Sequence, residues 1–206
     1  MKFKIGELFS GPGGLSLGAI NAKIPGNKSF KISHGWASDY DKNSCETYKR
    51  NIKGCKSDSI FLEDVRKLNI NKLPKIDCFA YGFPCNDFSL VGKQKGFDGE
   101  FGPLYTYGIK VLNKFNPKFF VAENVGGLSS ANDGNSFKKI LKDLEKSGSS
   151  GYNLTVHKYK SELYKIPQTR HRIIIVGIRN DLGLNFKVPK PISPKTEDYK
   201  TAKEAL

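Results

Sequence analysis

The chain has 206 residues, 38% hydrophobic and 26% charged, with a formal net charge of +14 at pH 7, enough for one domain with a real core and ordinary for a soluble globular protein. No apolar run approaches the ~20 residues of a membrane span, and the opening "MKFKIGELFS" has neither the length nor the flanks of a secretory signal, so the sequence reads as cytoplasmic with no membrane partner. Four cysteines without a CxxC pair and three scattered histidines give no zinc pattern, and no metal is expected. The positive balance favours a polyanionic partner through counterion release. Only five of the 34 basic residues are arginine, however, and the lysines are spread as a solubility bias alone would spread them.

In chain order, strands alternate with glycine-rich turns and helices. "FKIGELF" (3–9) predicts a strand, "SGPGG" a turn and "LSLGAINA" the start of a helix. "SHGWASD" (33–39) is a second strand ending in acid, followed by a helix over "KNSCETYKRN". "SIFLEDV" (59–65) and "KIDCFAY" (75–81) read as further strands. "LYTYGIKVLNKF" (104–115) has helical spacing, and "KFFVAEN" (118–124) is an apolar run too short for a helix. "FKKILKDLEKSG" (137–148) predicts an amphipathic helix closed by Gly148, and "RIIIVGIR" (172–179) a β-branched final strand. This alternation argues an α/β fold, a doubly wound, mostly parallel sheet. Residues 187–201, with three prolines and no apolar period, read as a linker or surface arm, and "TAKEAL" as the first turn of a helix.

Five short stretches carry chemistry. In "ELFSGPGG" a strand runs into glycines and a helix, presenting backbone N–H groups to a ligand, although the spacing is not that of a dinucleotide fold. Asp39 and Asp64 close consecutive strands, where carboxylates take ribose hydroxyls and an adenine amino group, so together they suggest an adenosine-type cofactor. In "GFPCNDFS" Cys85 follows Pro84 at a strand end, a place for a nucleophile if its thiolate is stabilised, and otherwise an inert thiol. Glu123 and Asn124 close an apolar strand, where burial raises a carboxyl pKa and lets it donate a proton to a ring nitrogen. In "QTRHR", Arg170 and Arg172 alternate on one face beside Gln168, suited to fixed contacts with phosphate, carboxylate or base, or to a plain surface ion pair.

In this order the pieces resemble the cytosine-5 DNA methyltransferase family: "FSGPGG" its S-adenosylmethionine loop, "GFPCNDFS" its Pro-Cys loop, "ENV" its glutamate motif and "QTRHR" its Gln-x-Arg-x-Arg motif. The resemblance runs over roughly residues 3–206, with one departure, Asn86 where the family usually has glutamine. It implies the S-adenosylmethionine-dependent (Rossmann-like) methyltransferase fold, S-adenosyl-L-methionine as cofactor with S-adenosyl-L-homocysteine as product, and double-stranded DNA as partner. It implies that the Cys85 thiolate adds to carbon 6 of a flipped-out cytosine, making carbon 5 nucleophilic. Glu123 then holds the amino group and N3, while Arg170 and Arg172 orient base and loop. By the same match Phe9, Ser10, Gly11, Gly13, Gly14, Leu15, Asp39, Tyr40, Asp64, Val65, Pro84 and Leu104 form the cofactor site. Asn86, Ser89, Asn124 and Gln168 face DNA.

Two other readings stay open: an RNA (transfer RNA) cytosine-5 methyltransferase, and a catalytically silent DNA- or cofactor-binding subunit. The domain expectation is a catalytic unit over residues 1–186 and a linker over 187–206 leading toward an absent target-recognition region. That makes the chain either the catalytic subunit of a split enzyme, with a second polypeptide carrying recognition, or a truncated product. The expected biological setting, from the family alone, is a restriction–modification system.

Overall fold

The computed structural model describes residues 1–84, 104–126 and 134–206. The described strands are β1 (Lys2–Leu8), β2 (Lys31–Asp39), β3 (Ile60–Leu62), β4 (Cys78–Tyr81), β5 (Phe119–Val125), β6 (Tyr152–Lys160) and β7 (His171–Arg179). The helices are α1 (Gly14–Asn21), α2 (Lys42–Asn51), α3 (Tyr105–Phe115), α4 (Asn135–Glu145) and a short α5 (Ala202–Ala205). The strands form one sheet in the order β3-β2-β1-β4-β5-β7-β6. Every pair from β3 to β5 is parallel, whereas β7 runs antiparallel to both β5 and β6. This is the doubly wound, mostly parallel α/β architecture expected.

Alternation along the strands sorts side chains between two faces. Phe79, Tyr81, Phe120, Ala122, Ile173 and Ile175 point to one face and pack with Val111 and Leu112 of α3 and Ile140 and Leu144 of α4. Gly177 permits this layer's close approach, since a Cβ there would stand 2.1 Å from Phe120 Cε1. On the other face Leu15 and Ala19 of α1 cover Ile5, Ile32, Cys78 and Ala80, and α2 covers Ala37 with Cys45, Tyr48 and Ile52. That second layer is incomplete over β5 and β7. There Val121, Ile174, Val176 and Ile178, with Phe3 and Phe186, line an open apolar groove of about 560 Å³ to which none of α1 to α5 contributes a residue.

Three expectations are corrected. Residues 59–65 form only the three-residue β3, because Asp64 starts a turn, its carbonyl accepting from Lys67 and Leu68 N–H groups. Residues 152–160 form β6, which the sequence reading left out: beyond the buried Tyr152 its positions are half-buried or exposed, so no apolar run announces it. The helix expected to close at Gly148 ends at Glu145, two residues before a turn built on Ser147 and Gly148. The segment after β7 lies on the chain: Ile192 and Ser193 N–H both donate to Leu163 O, at 3.0 Å, and Ser193 is fully buried. Among the described residues no helix is long and apolar enough to cross a membrane.

Candidate functional site

Two sites form along the carboxyl ends of the strands, where an open α/β sheet leaves a crevice for ligands. The first lies at β1, β2 and β3. Between β1 and α1 the chain turns through left-handed backbone at Phe9 (φ 54°), Gly11 (φ 51°) and Gly13 (φ 96°). At Gly13 glycine is required twice over, by that φ and because a Cβ would stand 2.8 Å from Tyr48 Cδ2. The loop is fastened to β2 through backbone donors: Ser10 N–H to Ser38 O at 3.2 Å and Gly11 N–H to Asp39 Oδ2 at 2.7 Å. Asp39 Oδ1 accepts from Asp41 N–H at 3.0 Å, so one carboxylate ties two loops together.

Beside this loop opens a cavity of about 200 Å³ lined by Phe9, Asp39, Tyr40, Asp64, Val65, Pro84 and Leu104, all expected there, together with Leu8, Ser38, Glu63 and Arg66. Arg66 was not anticipated. It grips the Asp64 carboxylate at 2.6 Å and 3.0 Å, and that contact holds Asp64 below the usual carboxylate range. The signal available was its rarity, one arginine among five. Ser10, Gly11, Gly13 and Gly14 build the adjoining turn rather than the cavity wall, and nothing would crowd a ligand at Gly11 or Gly14. Leu15 departs from expectation: its side chain packs beneath the sheet against Ile5, Ile32, Cys78 and Ala80, away from the cavity.

Beneath the loop lies a carboxyl group that sequence reading missed. Glu7, flanked in register by Ala37 and Ala80, is 1% exposed. It accepts from Ser16 Oγ in a short hydrogen bond, and Ser16 accepts from Tyr48 Oη at 2.8 Å. Burial pushes Glu7 up to about 7, against the opposing effect of the Ser16 and Tyr48 hydrogen bonds. An acid inside an apolar strand was the readable signal.

The second site lies where β5 meets β7. Glu123 Oε1 is 2.8 Å from Arg172 Nε, and Arg172 Nη1 donates to His171 O at 2.8 Å. The carboxyl group expected to be buried and neutral therefore sits in an ion pair, about a quarter exposed (28%). It adjoins the loop after β4, since a Cβ on Gly82 would stand 3.1 Å from Glu123 Oε2. Asn124, expected at a nucleic-acid contact, has another role: it is 2% exposed, donates to Phe83 O at 2.9 Å and accepts from Val125 N–H at 2.8 Å. It thus holds the backbone two residues before Cys85. Arg170 lies just outside β7 with its side chain exposed and its carbonyl held by Ser161 N–H and Oγ. Gln168 is also exposed.

Cys85, Asn86 and Ser89 lie outside the described residues. Among the described thiols, burial pushes Cys78 up to about 12 and raises Cys45 and Cys55, so none of the three is poised as a thiolate. The described residues thus place a carboxylate-marked cavity and a Glu–Arg pair on either side of the strand β4 and its exit loop Gly82–Phe83–Pro84, which leads directly into Cys85.

The family model described as C-5 cytosine-specific DNA methylase matches residues 3–206. The type II methyltransferase M.BbvI of Brevibacillus brevis is 53% identical over 213 residues, covering 100% of this chain and 56% of that protein. The type II methyltransferase M.NgoFVII of Neisseria gonorrhoeae is 38% identical, covering 100% of this chain and 53% of that protein. A solved Escherichia coli structure, described as a prophage-encoded DNA modification methyltransferase, superposes with a TM-score of 0.72 at 26% identity, over 98% of this chain and 54% of its own. The chain spans about half the length of the curated relatives it matches.

Proposed function

The chain belongs to the C-5 cytosine-specific DNA methylases, and we propose that it transfers a methyl group from S-adenosyl-L-methionine to carbon 5 of cytosine in double-stranded DNA. The observation that carries this reading is the Glu123–Arg172 pair set against Gly82, in the segment Gly82–Phe83–Pro84 that precedes Cys85 in the sequence. The cavity residues fit the cofactor. Asp39 offers a carboxylate to ribose hydroxyls, Val65 and Leu104 offer apolar walls to a purine, and the open glycine turn leaves room for a methionine tail.

The cofactor supplies an electrophilic methyl group. The chain's own residues supply the rest. Carbon 5 of cytosine is too weak a nucleophile unaided, so the Cys85 thiolate adds to carbon 6 and the ring becomes enamine-like at carbon 5. Glu123 receives the amino group and N3, and Arg172 fixes the direction in which that carboxyl points. After transfer a base removes the carbon 5 proton and the thiolate leaves. The cytosine must first leave the duplex stack, at a cost of a few kcal/mol.

Residues 1–186 are the catalytic unit in this reading, and recognition of the cytosine's sequence context is assigned to a region or second polypeptide outside them. The type II names of the relatives support a place in a restriction–modification system. The test is methyl transfer from labelled cofactor to mixed-sequence DNA, with Cys85→Ser as control and DNA containing 5-fluorocytosine as a trap. A denaturant-stable adduct formed by wild type and not by Cys85→Ser is expected. Turnover by Cys85→Ser near the wild-type rate, preferential methylation of transfer RNA, or tighter binding of a nicotinamide dinucleotide than of S-adenosylmethionine would overturn the reading.

A further inference from the structure

His171 stands between the two arginines of "QTRHR", yet its ring turns away from them. In the ladder Arg172 is paired with Val125 and Tyr159, on the face that carries Glu123, so alternation puts the His171 side chain on the opposite face. There His171 Nε2 meets Glu162 Oε1 at 2.9 Å. Glu162 is 9% exposed, and its other oxygen is buried with no hydrogen-bond partner among the described residues. A carboxylate so placed needs a neighbouring positive charge, because an uncompensated buried charge is costly. His171 Nε2 is the side-chain nitrogen that meets the carboxylate. The other charged groups around it, Lys158 and Lys160 of β6 and the flanking Arg170 and Arg172, are cations.

His171 is also a joint between three elements. Its carbonyl accepts from Arg172 Nη1 at 2.8 Å, giving the guanidinium a second anchor besides Glu123. Its backbone and Cβ flank Gly126 at the exit of β5, since a Cβ there would lie 3.6 Å from His171 O and 3.7 Å from its Cβ. The start of the turn that carries Glu162 is itself held from two sides. Ser161 N–H and Oγ donate to Arg170 O at 3.0 and 2.9 Å, and Ser193 Oγ donates to Glu162 O at 2.8 Å.

We propose that the Glu162–His171 ion pair is a positioning element for the Arg172–Glu123 pair, setting the direction in which Glu123 meets the base. This rests on the methyltransferase reading for its role, though the coupling between the two pairs is measurable without turnover. The experiment follows solvent exchange of the Arg172 Nε–H by NMR in the full chain labelled with ¹⁵N-arginine, the signal being assigned by its loss in Arg172→Lys. Wild type should show a protected Nε–H at about pH 6. Glu162→Gln and His171→Gln should each speed its exchange about tenfold, the double variant no more than either single one, as expected for two residues acting as one unit. His171→Lys, which places a cation facing Glu162, should restore protection. In methyl-transfer assays the same Gln variants should lose kcat while cofactor affinity stays at the wild-type value. Equal protection in wild type and the Gln variants, an unprotected wild-type signal, multiplying losses in the double variant, or undiminished kcat would each overturn the proposal. Absence of methyl transfer by wild type with the exchange coupling intact would instead sink the methyltransferase reading and leave the positioning role standing.

Discussion

The two ends of the sheet hold their sites by different means. In the parallel half, backbone groups do the fastening: Gly11 and Asp41 N–H converge on Asp39, and Ser10 N–H reaches Ser38 O. In the antiparallel half the fastening is between side chains, Glu123 with Arg172 across two strands far apart in sequence and Glu162 with His171 across the turn between β6 and β7. A backbone-held loop is preformed and indifferent to most side-chain changes, so it suits binding. A chain of ion pairs can be retuned by single substitutions and by protonation, so it suits chemistry. Substitutions at one end should therefore alter affinity, and at the other end rate.

The largest expected effect tests that division directly. Glu123→Gln should lower methyl transfer by about 10²–10⁴-fold, the range for a positioned acid–base group, with cofactor affinity by calorimetry unchanged. A collapse of affinity instead would place Glu123 with the wrong half. Next comes Glu7, whose folded-state pKa of about 7 lies above its ordinary value of 4.5. The folded protein therefore holds a proton that the unfolded chain releases. The stability this confers is complete below the unfolded value and is lost as pH rises through about 7, on the order of 3 kcal/mol. Denaturant midpoints between about pH 5 and about pH 8 should fall in wild type and stay flatter in Glu7→Gln, which cannot titrate. Asp39→Ala should weaken cofactor binding by about 1.5–3 kcal/mol, the worth of charge-assisted hydrogen bonds, leaving the rate at saturating cofactor near wild type. The smallest effect is reserved for Cys55→Ser. This half-buried thiol hydrogen-bonds to Lys56 O and Ser59 at the margin of the small cluster under α2, and the change should stay within about 0.5 kcal/mol in stability, with full turnover.

The same contrast explains what the sequence made legible. Glycines, strand-ending acids and a Pro-Cys dipeptide are local signals, and Asp39 and Asp64 could be named from them, whereas the cavity walls Phe9, Tyr40, Val65, Pro84 and Leu104 followed from the family resemblance. Leu15 misled because it belongs to the loop in sequence while helix geometry turns it under the sheet. Asn124 misled for a related reason: it stands next to Glu123, but alternation sends the two side chains to opposite faces. The strand β6 and the Glu162–His171 pair were invisible because the partners are defined only once β6 and β7 are in register. Glu7 was readable and passed over, a carboxyl within an apolar strand whose meaning depends on Ser16 and Tyr48.

One feature of the sheet also governs how the protein reaches its native state. β6 and β7 are consecutive in sequence and share a nine-residue ladder, from Tyr152↔Arg179 to Lys160↔His171. Such a hairpin closes over a short loop and forms on a timescale of about 1–10 μs. The β5–β7 pairing must bridge the whole of α4 and β6, and its greater loop-closure entropy makes it the later event. Arg172 thus travels on a hairpin that already has its own ion pair, and meets Glu123 only when that hairpin docks. In native-state hydrogen exchange, the amides shared by β5 and β7 should open together as the hairpin undocks, while those between β6 and β7 persist.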